Sequence, residues 1–333
     1  MIDTSLLRCL LHDPPLPLHL SDDSLRLLCP AGHATPIVNG IPRFVPDESY
    51  ASAFGAQWKK FRQTQLDSYT GVPLSAVRLA HVAGGSLDIF KGKLVLEAGC
   101  GAGRFTEVLL KAGATVQAVD ISKAVEANYE TCHQYPAYRV CQADILKVPV
   151  EPGQFEAVVC VGVIQHTPSP EAIISALCGY LAPGGLLVID HYADQGKKYS
   201  FIRRLPRMIL LRLPAWLSLL ICHIITAVLW PLHRLLWTLS RQSGERGFFR
   251  QARDFLLKVS PVIDYHDRYP DLNPEHLYAW AILDLHDATT AVYRHLRTED
   301  QIIAHLRSCG MVEIETEYVG YGIIEARARK PAG

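Results

Sequence analysis

Glu97-Ala98-Gly99-Cys100-Gly101-Ala102-Gly103 sets three glycines at alternate positions after an acid and the apolar run 94–96. Without a Cβ, such a backbone turns sharply and lets a ligand come close. The acid selects the ligand: it repels a phosphate seated over a helix N-terminus, and it attracts an ammonium or sulfonium group. Asp120 ends the next apolar run, 21 positions after Gly99, where an acid reaches both hydroxyls of a ribose. Asp144 closes a third run in the same way. A second constellation lies near the N-terminus, where Cys9 and His12 are followed by Cys29 and His33. Two thiolates and two imidazoles make a tetrahedral zinc set. The alternative is a module that has lost its metal and stands on an apolar core. A third set is histidines that could serve as a base near neutral pH. These are His166, after the fourth apolar run, His191, after the fifth, and His286, next to Asp287.

The elements that must position these residues read as alternating strands and helices. Residues 94–98, 115–119, 140–145, 155–161 and 186–190 form hydrophobic strands, and Phe105, Val108, Leu109 and Ala112 mark the helix that the glycine turn opens. Ser169 and Pro170 are an N-cap and first helical residue, and Ala182-Pro183-Gly184-Gly185 ends that helix. Thr298 to Gln301 reads as a capping box for a helix stopping at Gly310. Residues 312–318 and 323–329, around Gly320-Tyr321-Gly322, read as an antiparallel hairpin. Strands of this kind in this order argue a parallel, doubly wound α/β sheet.

Glu97, Gly99, Gly101 and Gly103 resemble the first motif of the class I S-adenosylmethionine (SAM) dependent methyltransferases, E-x-G-x-G-x-G. A glycine turn alone also fits a dinucleotide-binding oxidoreductase, but Asp120, Asp144, Pro183-Gly184-Gly185 and the hairpin follow in the methyltransferase order. The resemblance implies a Rossmann-like seven-stranded methyltransferase sheet with a C-terminal antiparallel hairpin. It implies a SAM site built from Glu97, Gly99, Cys100, Gly101, Gly103, Asp120, Ile121, Asp144, Ile145 and Val161. Within it, Asp144 would contact the adenine amino group and Ile145 would pack on the ring. Cys100 reads as a small apolar filler and not a nucleophile. Phe54, Trp58 and Phe61 recur at helical spacing. They read as a packed helix or as a lid that brings Trp58 to the cofactor, since the family carries a similar segment. Residues 1–46 resemble the zinc-ribbon-like, Trm112-like module fused ahead of some methyltransferases. The usual four cysteines are altered here, with His12 in place of the second.

The expected organisation is a ribbon-like module at 1–46, a helical linker or lid at 47–92, and the SAM-binding core at 93–195. A helical cap insertion at 196–297 and the core's completion at 298–333 follow. Within the insertion, 213–232 is almost wholly apolar, with His223 its one ionisable residue. It is long enough to cross a bilayer, but the sheet resumes after it, so both ends must lie on one side. The expected form is a cap or dimer-forming helix bracketed by Pro214 and Pro231. Contact with an anionic membrane surface is the alternative, given Lys197, Lys198, Arg203, Arg204, Arg207 and Arg212 before it.

Lys plus Arg equals Asp plus Glu, 33 each, so no global field favours nucleic acid. Residues 1–46 hold three arginines and no lysine, outnumbered by their acids. Nine cysteines without a leader in the first 20 residues point to a reducing, cytoplasmic setting, with peripheral attachment at the inner membrane face as the variant. The expected function is methyl transfer to a small or amphipathic metabolite, glycan-, lipid- or natural-product-like. RNA methylation and a non-catalytic SAM-binding adapter are the competing readings.

Overall fold

The computed structural model describes residues 3–46, 60–194, 201–242 and 247–333, with backbone alone over 201–205. These residues divide into two compact units, one of 1–62, 73–195 and 293–333 and the other of 63–72 and 196–292.

The first unit is built on seven strands: β7 (Leu94–Ala98), β8 (Thr115–Asp120), β9 (Tyr138–Gln142), β10 (Phe155–Cys160), β11 (Leu181–Tyr192), β12 (Val312–Tyr318) and β13 (Ile323–Arg329). Their spatial order is β9-β8-β7-β10-β11-β13-β12. β7 to β11 run parallel, and β13 enters antiparallel between β11 and β12. The order reverses between β7 and β10, the topological switch point where open α/β sheets gather ligands. The sheet is covered by α2 (Leu74–Val82), α3 (Arg104–Lys111), α4 (Ala124–Cys132), α5 (Pro170–Tyr180) and α10 (Glu299–Ser308). The central strands are buried on both faces, which is why they read as continuous apolar runs. Caps act where the sequence signals them: Ser169 Oγ accepts from Ala172 N–H, and Thr298 and Gln301 close a reciprocal capping box.

Residues 3–46 contain a hairpin, β1 (Arg8–Cys9) with β2 (Leu16–Pro17). A small sheet follows, of β3 (His19–Leu20), β4 (Arg26–Leu28), β5 (Ala34–Val38) and β6 (Ile41–Pro42). It belongs to the first unit and packs into it. Leu7, Leu18, Leu27 and Ile37 are continuous with the apolar core beside the main sheet. Beyond β6, Arg43 makes a parallel bridge to Gln142, and Phe44 N–H donates to the Gln142 carbonyl. The buried Arg43 guanidinium also binds the Gln142 side chain at 2.9 Å and Glu126 at 3.1 Å. The module thereby covers β9, an edge strand whose open backbone groups would otherwise invite pairing.

The second unit holds α1 (Asp67–Thr70), α6 (Phe201–Leu210), α7 (Ala215–Gln242), α8 (Phe248–Val259) and α9 (Pro274–Thr290). One expectation fails here. Pro231 does not end the apolar helix; α7 runs through it for 28 residues. Proline removes one helical hydrogen bond and crowds the preceding turn, and the buried Trp230 and His233 on either side of it hold the helix together. Of the helix expected as a cap or dimer-forming element, Trp216, Leu220, Ile224, Val228, Leu232 and Leu235 are all exposed. A helical lid over 54–61 can be judged only at its end. Phe54 and Trp58 lie outside the described residues, and the chain from Phe61 to Gln65 is bends and turns around a buried Phe61.

Candidate active site

The glycine turn connects β7 to α3 at the carboxyl edge of the sheet. Gly99 and Cys100 both donate to the Val119 carbonyl, at 2.7 and 3.0 Å, which ties the turn to β8. Gly99 has φ +80°, and a Cβ there would lie 2.3 Å from Val163 Cγ2. Both its backbone and its surroundings therefore require glycine. Gly101 and Gly103 also have positive φ.

The acids do more for the turn than the sequence suggests. Asp120 accepts from Gly101 N–H at 3.0 Å through one oxygen, and from Ser122 N–H and Oγ through the other. Burial raises its carboxyl above the ordinary range, against these bonds. Glu97 is 3% exposed and accepts from the Thr106 hydroxyl. Thr106 Oγ1 in turn accepts from Asn128 Nδ2 at 2.8 Å, and Asn128 Oδ1 accepts from Tyr138 OH at 2.7 Å. Asn128 also donates to the Cys100 carbonyl. Burial is the largest influence on Glu97 and pushes its carboxyl up to about 8, with Thr106 opposing. Glu97 is therefore an anchor beneath the turn, one end of a buried relay joining β7, α3, α4 and β9. The acid expected from the sequence to attract an ammonium or sulfonium group is thus buried beneath the turn. Cys100 is 3% exposed with its thiol pushed up by burial, as a filler should be.

Asp144 caps a short 3-10 turn, Ile145–Lys147, through Oδ1 to Leu146 N–H at 2.9 Å. Ile145 and Val161 are buried at the strand ends, and Ile121 follows Asp120 half-buried. These residues line up along the carboxyl edge of β7, β8, β9 and β10, the order in which a nucleoside would lie. Trp58 lies outside the described residues.

The candidate bases separate clearly. His166 ends the 3-10 turn Ile164–His166 after β10, and its N–H donates to the carbonyl of Val163, the residue packed on Gly99. Its Nδ1 lies 3.2 Å from the Tyr293 carbonyl, and its ring meets Tyr192 edge-on. A carbonyl only accepts, so Nδ1 is the donor in that contact. His191 is 1% exposed, and burial lowers its pKa. Strand alternation turns it to the opposite face from Asp190. His286 lies in the second unit, buried, with Nε2 3.2 Å from Ser218 Oγ and Nδ1 3.4 Å from Thr290 Oγ1. Of the three histidines, His166 is the one whose backbone is tied to the residue packed on Gly99, while His191 and His286 are buried in their own units.

A cluster absent from the sequence reading sits at the end of β11. Asp190, 2% exposed, accepts from Gly162 N–H at 2.6 Å and pairs with Arg78 of α2. Arg78 also reaches Glu325, which accepts from His81 Nδ1 at 2.8 Å. Asp190 was visible as an acid closing the fifth strand. Its charged partner Arg78 lies 112 positions away in the chain, and no local pattern points to it.

Cys9, His12, Cys29 and His33 converge, with ligand atoms all within 4.8 Å of one another. Cys29 Sγ lies 3.4 Å from His12 Nε2, His12 Nε2 3.1 Å from His33 Nδ1, and Cys9 Sγ 3.9 Å from His33 Nδ1. Tetrahedral zinc with these ligands needs donor separations of about 3.3–3.8 Å, so the donor set and its spacing fit the metal.

Residues 96–189 match the family model of a methyltransferase domain. Among curated relatives, the ubiquinone biosynthesis O-methyltransferase of Xanthomonas campestris pv. campestris is 33% identical over 149 residues, covering 39% of this chain and 61% of the relative. The enzyme of the same name from Psychrobacter arcticus is 33% identical over 120 residues, covering 33% and 45%. The chain thus spans less than two thirds of these relatives. Among solved structures, magnesium protoporphyrin IX methyltransferase from Synechocystis, with bound SAM, aligns over 84% of this chain and 93% of its own length, at 17% identity and a TM-score of 0.43. The chain carries a class I SAM-dependent methyltransferase domain.

Proposed function

We propose that the protein transfers the methyl group of SAM to a hydroxyl of a small or amphipathic acceptor, with His166 as general base. The observation that carries this reading is the seating of the 163–166 turn directly on the glycine turn, through Val163 against Gly99. It joins the histidine's backbone to the loop that would hold the cofactor. Methyl transfer from a sulfonium is an in-line displacement, so alignment and exclusion of water are the main tasks. SAM supplies the electrophilic methyl. Asp120 keeps lone pairs for the ribose hydroxyls while holding Gly101, and Asp144 keeps its second oxygen for the adenine amino group. His166 Nε2 takes the acceptor's hydroxyl proton as the oxygen attacks. The named relatives are O-methyltransferases, which supports an oxygen acceptor. The ribbon's low cation content speaks against RNA.

Zinc bound by Cys9, His12, Cys29 and His33 would be structural, because four protein ligands leave no open position for substrate. The module shares its core with the sheet, so it stays packed when the metal is removed. The test of the reading is turnover: His166→Ala should retain SAM binding and lose methyl transfer by about 10²–10⁴-fold. Retained transfer in that variant would refute the base assignment.

A further inference from the structure

Helix α7 is built inside out. Its buried positions are Ser218, Cys222, Thr226, Trp230, His233 and Ser240, mostly small or polar. They are bonded within the unit: Ser218 to His286, Cys222 to Thr289 at 3.7 Å, and His233 to Asp264 at 3.2 Å and to Ser260 at 2.8 Å. Its exposed large apolar positions are Trp216 (69% exposed), Leu220, Ile224, Val228 (70%), Leu232 and Leu235. At 100° per residue the exposed set fills an arc of about 160° and the buried set the opposite arc of about 120°. The apolar face runs about 28 Å along the helix. Met208 and Ile209 on α6 and Phe248 and Phe255 on α8 are exposed as well. Water does not favour such a surface, and on a soluble monomer a contiguous face of this kind marks an interaction site.

We infer that this face of α7 docks on an anionic lipid bilayer, lying in the interface with its apolar arc among the acyl chains. Charge identifies the occupant. Residues 195–244 contain two lysines, six arginines and no Asp or Glu, in a chain whose net charge is zero. Exposed Arg212 precedes the apolar face, and exposed Arg234 and Arg241 lie toward its end, as in interfacial helices that bind anionic lipid. A second copy is disfavoured by the same charges. Either orientation of two paired α7 helices sets arginines against arginines at the ends, with no acid in the segment to neutralise them. Crossing is disfavoured by what packs behind α7. It lies along α8 and α9, and α8 carries Arg250, Arg253, Asp254 and Lys258. These cannot follow the helix into hydrocarbon. The inference goes beyond the methyl-transfer reading and stands independently of it.

The test is flotation of the full chain with vesicles of phosphatidylcholine alone, or with about one third phosphatidylglycerol. The protein should float with the anionic vesicles, less so at high salt, and Trp216 emission should shift to the blue. Trp216→Phe should abolish that shift while flotation persists. Leu220→Asp/Ile224→Asp/Val228→Asp changes only exposed side chains, and should lower partitioning at least about tenfold with an unchanged melting curve. Should that variant misfold, Arg212→Glu/Arg241→Glu must still lose the preference for anionic vesicles. Failure of the wild type to float, or equal flotation of wild type and variants, would overturn the inference. So would a dimer that the triple variant dissociates, without flotation, which would give the face to a second copy. SAM binding measured on the same samples shows whether the methyltransferase unit is intact whatever the flotation result.

Discussion

Gly99→Ala should damage the protein in two separable ways. At φ +80° an L residue sits in the left-handed region, at a cost of about 1–2 kcal/mol. The added Cβ would lie 2.3 Å from Val163 Cγ2 and 2.7 Å from Cγ1. Relieving that overlap requires movement of about 1 Å in a close-packed site, and overpacking of this kind costs about 1–3 kcal/mol. The sum is about 2–5 kcal/mol, read in a thermal melt at roughly 2 °C per kcal/mol for a chain of this length. Val163→Ala removes both Cγ atoms, so in the double variant the steric part should return and the backbone part should stay. A double-mutant cycle should therefore give a favourable coupling of about 1–2 kcal/mol. Calorimetry with SAM should show weakened binding in Gly99→Ala, partly restored in the double variant, because Val163 carries the 163–166 turn. A Gly99→Ala protein that melts like wild type, or a Val163→Ala change that adds to the damage, would refute the packing argument.

Glu97 predicts a pH dependence. Its folded-state carboxyl titrates at about 8 against an ordinary 4.5, so the folded state binds the proton more tightly. Its contribution is complete below about pH 4.5 and is lost as pH rises towards 8, on the order of a few kcal/mol. Glu97→Gln should flatten the stability profile across that window, and an unchanged slope in urea melts would contradict the assignment. Asp120→Ala removes an acceptor for Gly101 as well as the ribose contacts, so SAM affinity should fall by about 1–3 kcal/mol per lost bond, checked by calorimetry. Elemental analysis of protein purified without chelator should find one zinc per chain. Cys29→Ser should lower that content while circular dichroism of the main sheet is retained, and zinc near zero in the wild type would retire the metal.

Much of the site is local in sequence and was readable there. The turn 97–103 needs glycine because its backbone does, and Asp120 and Asp144 close strands whose apolar runs are unmistakable. The hairpin, 312–318 and 323–329, follows from alternation alone and recurs at those bounds in the structure. What was hidden depends on contacts between distant segments. Thr106, Asn128 and Tyr138 are ordinary polar residues until folding aligns them under Glu97. Arg78 and Asp190 meet only when α2 lies over the sheet. Hydropathy flagged 213–232 by its amount and could not give its direction. The spacing of Ser218, Cys222 and Thr226 by four was the available sign that the polar stripe faces inward.

The central claim is methyl transfer from SAM to an oxygen of a small or amphipathic acceptor. The most direct measurement supplies methyl-labelled SAM and a fractionated metabolite extract to the purified protein, and follows both the demethylated cofactor and the destination of the label. The account predicts label in an organic-extractable small-molecule fraction as an O-methyl group, abolished in Asp120→Ala and in His166→Ala. Label in RNA, or tight SAM binding with no label transferred to any fraction, would contradict it.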